Sequence, residues 1–351
     1  MMNGTARQDI VWMDWAKLIG IFLVVFGHLL QNLQDWRTEN WQYVELQEIW
    51  NVIYLFHMPL FFVLSGYMYK ESHSFKKIFY SLVIPYFIYQ LLFFPAAFAM
   101  NVRNESFSIG FLCKQLLGCV LGDGYNTPIS FYDCLPCWFI VSMIQTRLFF
   151  HFVPINKRST ISLLILCPAV LKLLKVYNIN LIFCLDSTCM AIPYFLIGYY
   201  IAKRNVVSRF KSSWGGIFCS LLCLITLLLI YKINGKAQMN GPSFGNSVLL
   251  NYLGGLSGSL MIIFFVLKFK CISSNSKLIA RNTLFLIFYH WVVIHVFGFV
   301  GFFNMWKLID NYVWAISMMV ISAILVLYSS IPIINYLNNK YPIVLGKKRI
   351  I

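Results

Sequence analysis

Apolar runs of about twenty residues, parted by short polar stretches, recur along this 351-residue chain. Each is long enough to cross about 30 Å of hydrocarbon as a helix. The pattern predicts ten spans, at 11–33, 49–69, 77–99, 134–153, 159–176, 189–202, 214–232, 247–267, 283–303 and 312–335. The fifth and sixth are short or interrupted by Pro168 and Pro193, which leaves nine or eleven as alternatives. The apolar piece from Ile109 to Leu121 is too short to span and is expected to lie in the interface or to re-enter. The expected fold class is all-α, a polytopic helical membrane bundle forming one domain over residues 1–351, with no further soluble domain.

The first span breaks the apolar pattern. "MDWAKLIGIFLVVFGHLLQN", Met13 to Asn32, carries Asp14, Lys17 and His28, and an ionisable group in a bilayer costs roughly 2.5 kcal/mol or more on insertion scales. At about 100° per residue, the eleven steps from Lys17 to His28 make three turns and roughly 20°, so the two side chains share a face. Asp14 precedes Lys17 by three residues, within pairing reach, and points within about 40° of His28. One stripe of an otherwise lipid-compatible helix is polar.

A second polar point follows in "LFHMPLFFVLSGYMYK". Pro59 cannot donate to the helical ladder, frees the Leu55 carbonyl and is expected to bend the helix beside His57. Ser65 and Gly66 are small enough for close helix contact. At about 1.5 Å per residue, His28 lies about 25 Å from the inner start of its helix and His57 about 12 Å from the outer start of the next. Both fall in the outer half and are expected to face each other, whereas Lys17, about 9 Å in, lies on the inner side. His290, in "NTLFLIFYHW", falls near mid-membrane and can join them; His73 and His151 sit near span ends, where water reaches. A membrane histidine can also serve only as a helix-to-helix hydrogen bond, so depth and face are what distinguish these.

Composition agrees with the pattern: 60% of residues are hydrophobic and 11% charged, against about a quarter charged in soluble domains. A net charge of +16 would suit nucleic acid, but its excess lies in short loops abutting spans, and no nucleic-acid partner is expected. Loops on one side, with the two ends, hold 18 Lys and Arg; the opposite loops hold eight of them, with nine of the twelve acids. By the positive-inside rule both termini are cytoplasmic, and the expected location is the plasma membrane, multi-pass. Reporter fusions at Asn104 and Ser212 should give opposite signals, and the same signal at both would contradict this orientation. The first span lacks a cleavage site and is expected to be retained. Most of the ten cysteines suit packing inside spans. Cys113, Cys119, Cys134, Cys137, Cys184 and Cys189 lie on or near the outer side, where a disulfide is open to them if that side is oxidising. Cys134 and Cys137 make one CxxC without a second ligand pair, so no metal site is expected.

The run "DWAKLIGIFLVVFGH", with its basic-x10-His spacing, followed by "FHMPLFFVLSGYMYK", resembles the acyltransferase-3 family of membrane proteins, closest to its branch of fucose 4-O-acetylase and related acetyltransferases. Weaker echoes run through "CWFIVSM", "IPYFLIGYYIAKR" and "NTLFLIFYHWVVI", so the likeness covers essentially the whole chain. The resemblance implies transfer of an acyl group, usually acetyl from cytoplasmic acetyl-CoA as co-substrate, to a hydroxyl of a cell-surface glycan or lipid-linked saccharide. No permanently bound cofactor is implied. Many members have Arg where this chain has Lys17; lysine keeps the charge and loses the bidentate fork.

Such a transfer needs a base for the hydroxyl proton and stabilisation of the tetrahedral oxyanion. Imidazole suits the first task near neutral pH, and His28 is the expected base. His57 can orient it, share the proton or stabilise the oxyanion, while Lys17 and Asp14 can hold the donor or order the helix. His290, Ser65 and Trp138 are further polar or aromatic candidates. A ping-pong route through an acetylated histidine is equally open. Trp36, Trp41, Tyr125 and Trp138, near the outer side, suit stacking on sugar rings, although interfacial belts enrich the same residues. The competing class is a proton-coupled secondary transporter or glycan exporter, for which intramembrane ionisable residues and proline-broken helices are equally expected.

Overall fold

The computed structural model describes residues 11–34, 40–71, 74–102, 107–122, 135–210, 214–240, 243–299 and 311–347. Helices carry nearly all of them, because in lipid each backbone polar group has to find its partner within its own segment. In chain order they are α1 (Val11–Leu30), α2 (Val44–Tyr67), α3 (Phe75–Ile78), α4 (Ile84–Asn101), α5 (Ile109–Leu121), α6 (Trp138–Phe152), α7 (Lys157–Val176), α8 (Leu185–Lys203), α9 (Val206–Phe210), α10 (Gly215–Asn234), α11 (Val248–Val266), α12 (Ser274–Ala280), α13 (Thr283–Phe299), α14 (Tyr312–Ser329) and α15 (Ile331–Lys340). A π-helical stretch, Phe79–Val83, joins α3 to α4.

Every one of the ten expected spans falls on a helix. Eight helices among the described residues are long and apolar enough to cross a membrane, or nine when Ser274–Arg281 and Thr283–Val296, bent by 89°, count as one span. The difference from ten lies in α6, a 15-residue helix behind one 3₁₀ turn, Leu135–Cys137. At about 1.5 Å per residue α6 covers about 22 Å. It also carries the polar Gln145 and Arg147 in its middle. The short apolar piece from Ile109 to Leu121 forms α5, with the Ser108 hydroxyl accepting the Phe111 N–H at its start.

The central helix is α2, buried along nearly all its length against α1, α8 and α11. An all-round apolar helix of this kind belongs in the core. In contrast α7 and α10 expose Ile165, Leu166, Leu229 and Ile233, as lipid-facing helices do. The closest helix contact is reciprocal: a Cβ on Gly66 would lie 1.9 Å from the Phe195 carbonyl oxygen, and one on Gly198 would lie 2.0 Å from that of Val63. Both obstacles are backbone, so neither can swing aside. Gly66→Ala is expected to force α2 and α8 apart, and the overpacking cost of about 1–3 kcal/mol or more should lower the detergent-solubilised melting temperature. An unchanged Tm would show that the two helices are not held this closely.

The thiols of Cys113 and Cys189 are free, so neither forms the disulfide open to the outer cysteines. Cys134, His73, Trp36 and Tyr125 lie outside the described residues.

Candidate active site

The helical period of α1 sets the site's axis. His28 faces α2, where its Nδ1 lies 3.4 Å from the Tyr54 hydroxyl, and the same Nδ1 lies 3.0 Å from Oε1 of Gln31 in the 3₁₀ turn that follows α1. The carboxamide oxygen only accepts, so Nδ1 carries the proton and Nε2 keeps its lone pair. One turn along α2, His57 Nδ1–H donates to the Ile53 carbonyl at 2.8 Å, which again leaves Nε2 unprotonated. The Tyr54 ring lies between, 4.7 Å from the His57 ring and 3.9 Å from Trp50.

His28, Gln31, Tyr54, His57 and Trp138 line one cavity of about 80 Å³, together with Gln238, Met239 and Asn240. That volume admits several water-sized groups. The last three residues come from the α10–α11 loop, which is shaped by Asn234: its amide donates to the Phe244 carbonyl at 3.0 Å and its oxygen accepts the Ser247 N–H at 2.7 Å. The Ser187 hydroxyl ties the loop to α8 by donating to the Met239 carbonyl at 2.9 Å. His290 packs its ring 5.1 Å from that of His28. It is fully buried, its Nδ1–H is spent on the Leu286 carbonyl, and its Nε2 has no hydrogen-bond partner. Trp291 contacts His28 from the same helix, with His295 behind it.

At the other end of the α1 stripe, Lys17 Nζ lies 3.4 Å from Met68 Sδ, just past the end of α2. Asp14, expected beside Lys17, has its carboxylate on the Arg281 guanidinium at 3.1 Å. Arg281 stands at the 89° bend between α12 and α13, 267 residues away in sequence. Next to it, Asn282 accepts from Lys347 Nζ at 2.8 Å, and Asn338 accepts from the same ammonium at 2.7 Å. Burial and the nearby Arg281 charge hold the Lys347 ammonium below the usual lysine range.

The structure therefore brings His28, His57, Trp138 and His290 together and sets Lys17 and Asp14 apart on the opposite side. Ser65 does not line the cavity. Its hydroxyl accepts from Arg147 Nε and Nη2, at 3.2 and 3.1 Å, towards the Lys17 side. Sequence reasoning passed over Arg147, although it is the one basic residue within "WFIVSMIQTRLFF" and an intramembrane arginine is a functional signal in itself. It also passed over Tyr54, Gln31, Gln238 and Asn240.

Comparison with known proteins identifies the family. The family model described as Acyltransferase domain, that of the acyltransferase-3 proteins, matches residues 10–331. The chain is 25% identical over 332 residues to the Nodulation protein NolL of Sinorhizobium fredii, covering 86% of this chain and 82% of that protein. It is 45% identical over 65 residues to the Nodulation protein NolL of Mesorhizobium japonicum, a stretch covering 18% of this chain and 16% of the relative. No solved structure matches. A family match over nearly the whole length, on a polytopic helical bundle with an enclosed histidine cavity, makes this chain a member of the acyltransferase-3 family and a multi-pass membrane acyltransferase.

Proposed function

We propose that the protein moves an acetyl group from cytoplasmic acetyl-CoA to a sugar hydroxyl of a surface polysaccharide or lipid-linked glycan precursor. The observation that carries this reading is the unprotonated His28 Nε2 in an enclosed cavity, on a helix whose other end carries Lys17. The acceptor hydroxyl gives its proton to His28 Nε2 as its oxygen attacks the thioester carbonyl. The tetrahedral intermediate then collapses, the C–S bond breaks, and the proton passes from His28 to the departing thiolate. The Tyr54 hydroxyl and the Gln238 and Asn240 amides are the donors nearest to hand for the oxyanion. Neutral His57 offers a lone pair, which suits it to hold an acceptor hydroxyl in place.

His290 acts behind His28. Its partnerless Nε2 sets a lone pair beside the His28 ring, which suits the positive charge that ring takes on during transfer. The cavity's amides and Trp138 suit a carbohydrate, whose hydroxyls hydrogen-bond and whose ring faces stack on indole. Deleting the gene should remove acetyl esters from a surface glycan. Unchanged acetyl content together with loss of a small solute's passage would overturn the reading in favour of transport.

A further inference from the structure

On the Lys17 side of the bundle lies a second cavity, of about 390 Å³, that the chemistry above does not use. It is lined by Ser74, Lys77, Tyr80, Ser81 and Gly346. Tyr80 and Ser81 belong to the π-helical stretch Phe79–Val83, a widened turn of a kind that recurs at functional sites. The Ser81 hydroxyl oxygen is buried and has no hydrogen-bond partner, a state that costs about 1–3 kcal/mol. The residues that line the space beside it bring an ammonium and hydroxyls. Among the described residues that line it none is a carboxylate, so the set suits an oxyanion rather than a cation.

The opposite wall is held rigidly. Gly346 has φ +69°, and a Cβ there would lie 2.5 Å from the Ser81 carbonyl oxygen, so only glycine fits. The turn containing it is fastened by the Tyr89 hydroxyl donating to the Val344 carbonyl at 2.7 Å and by Lys347 on Asn282 and Asn338. Contacts therefore run unbroken from this cavity through Gly346, Lys347, Asn282 and Arg281 to Asp14, three residues from Lys17 on the α1 stripe. Lys347 and Arg281 add positive charge beside the cavity, of which Asp14 offsets one unit.

We propose that the cavity of Ser74, Lys77, Tyr80, Ser81 and Gly346 binds the phosphate-bearing nucleotide end of the acyl-CoA donor, with the thioester arm reaching past Lys17 towards His28. This rests on the acyl-CoA reading given above. An anionic lipid headgroup offers the same phosphate chemistry, and the exposed Phe75 and Phe79 nearby would suit its chains.

The test uses the full chain in nanodiscs of neutral and of anionic phospholipid. It compares kcat/KM for acetyl-CoA with that for acetyl-dephospho-CoA, which lacks the 3′-phosphate. Wild type should prefer acetyl-CoA at least tenfold in both lipids. Lys77→Ala should bring that ratio close to one by raising KM for acetyl-CoA, Ser81→Ala should lower it by a smaller factor, and Lys77→Arg should restore it. A ratio that Lys77→Ala leaves unchanged overturns the proposal. So does an effect confined to anionic nanodiscs, which would make the ligand a lipid headgroup. If wild type turns over neither donor, the acyl-CoA reading fails separately. Calorimetry with adenosine 3′,5′-bisphosphate then decides: binding lost in Lys77→Ala supports a nucleotide site, and no binding to wild type overturns it.

Discussion

Replacing His28 with alanine lowers kcat by 10²- to 10⁴-fold, the range typical of a lost general base, and leaves donor binding largely intact. The expectation follows from depth. The imidazole lies in the cavity with Trp138 and the α10–α11 loop, about 16 Å along α1 from Lys17, so it meets the reacting atoms rather than the nucleotide. His28→Gln should be nearly as inactive, because a carboxamide keeps hydrogen bonds to Tyr54 and Gln31 but cannot take the proton productively. Single-turnover rates, paired with calorimetric binding of a non-hydrolysable acetyl-CoA analogue, separate the two effects. Full activity in His28→Ala would remove the base assignment, and loss of analogue binding would move His28 to the donor site.

Lys17→Ala fails in the complementary way. Losing a charge-assisted contact worth about 1.5–3 kcal/mol raises the apparent KM for acetyl-CoA by about 10- to 100-fold, with a smaller change in kcat. Lys17 sits at the Met68 end of the stripe, beside the Asp14–Arg281 pair, on the side expected to be cytoplasmic from the charge distribution. Lys17→Arg should retain donor affinity, since the charge stays and a bidentate fork is gained. An unchanged KM in Lys17→Ala, with the variant folded, would take Lys17 out of the donor path.

The α1 stripe was legible before any coordinates because helical geometry turns an eleven-residue spacing into a shared face, and depth follows from rise per residue. The same arithmetic sets His57 opposite His28, and the order of the spans puts Trp138 near the outer side with them. Tyr54 was not legible, since in a chain with 20 tyrosines and 32 phenylalanines nothing in the sequence distinguishes it from packing. Gln238 and Asn240 reach the cavity only because the Asn234 side chain folds their loop back, a tertiary event without periodicity. The Asp14–Arg281 pair joins opposite ends of the chain, and local spacing pointed instead to Lys17. Ser65 looked like a site residue from its motif, but about two turns of helix separate Met58, which lines the cavity, from Ser65, which meets Arg147. The bend at Arg281–Asn282 falls just before the ninth expected span, at the polar run Arg281–Asn282–Thr283, where neither Gly nor Pro marks it.

The reaction proposed for this chain is acetyl transfer from acetyl-CoA to a sugar hydroxyl with His28 as base. Its most direct test is incubation of the purified, nanodisc-embedded protein with isotope-labelled acetyl-CoA and a panel of lipid-linked and free oligosaccharides, followed by mass spectrometry of the saccharides. The predicted result is labelled acetyl ester on a sugar hydroxyl with wild type and none with folded His28→Gln; labelled ester formed equally by both, or no saccharide acetylated while proteoliposomes of the same protein accumulate a solute, would contradict it.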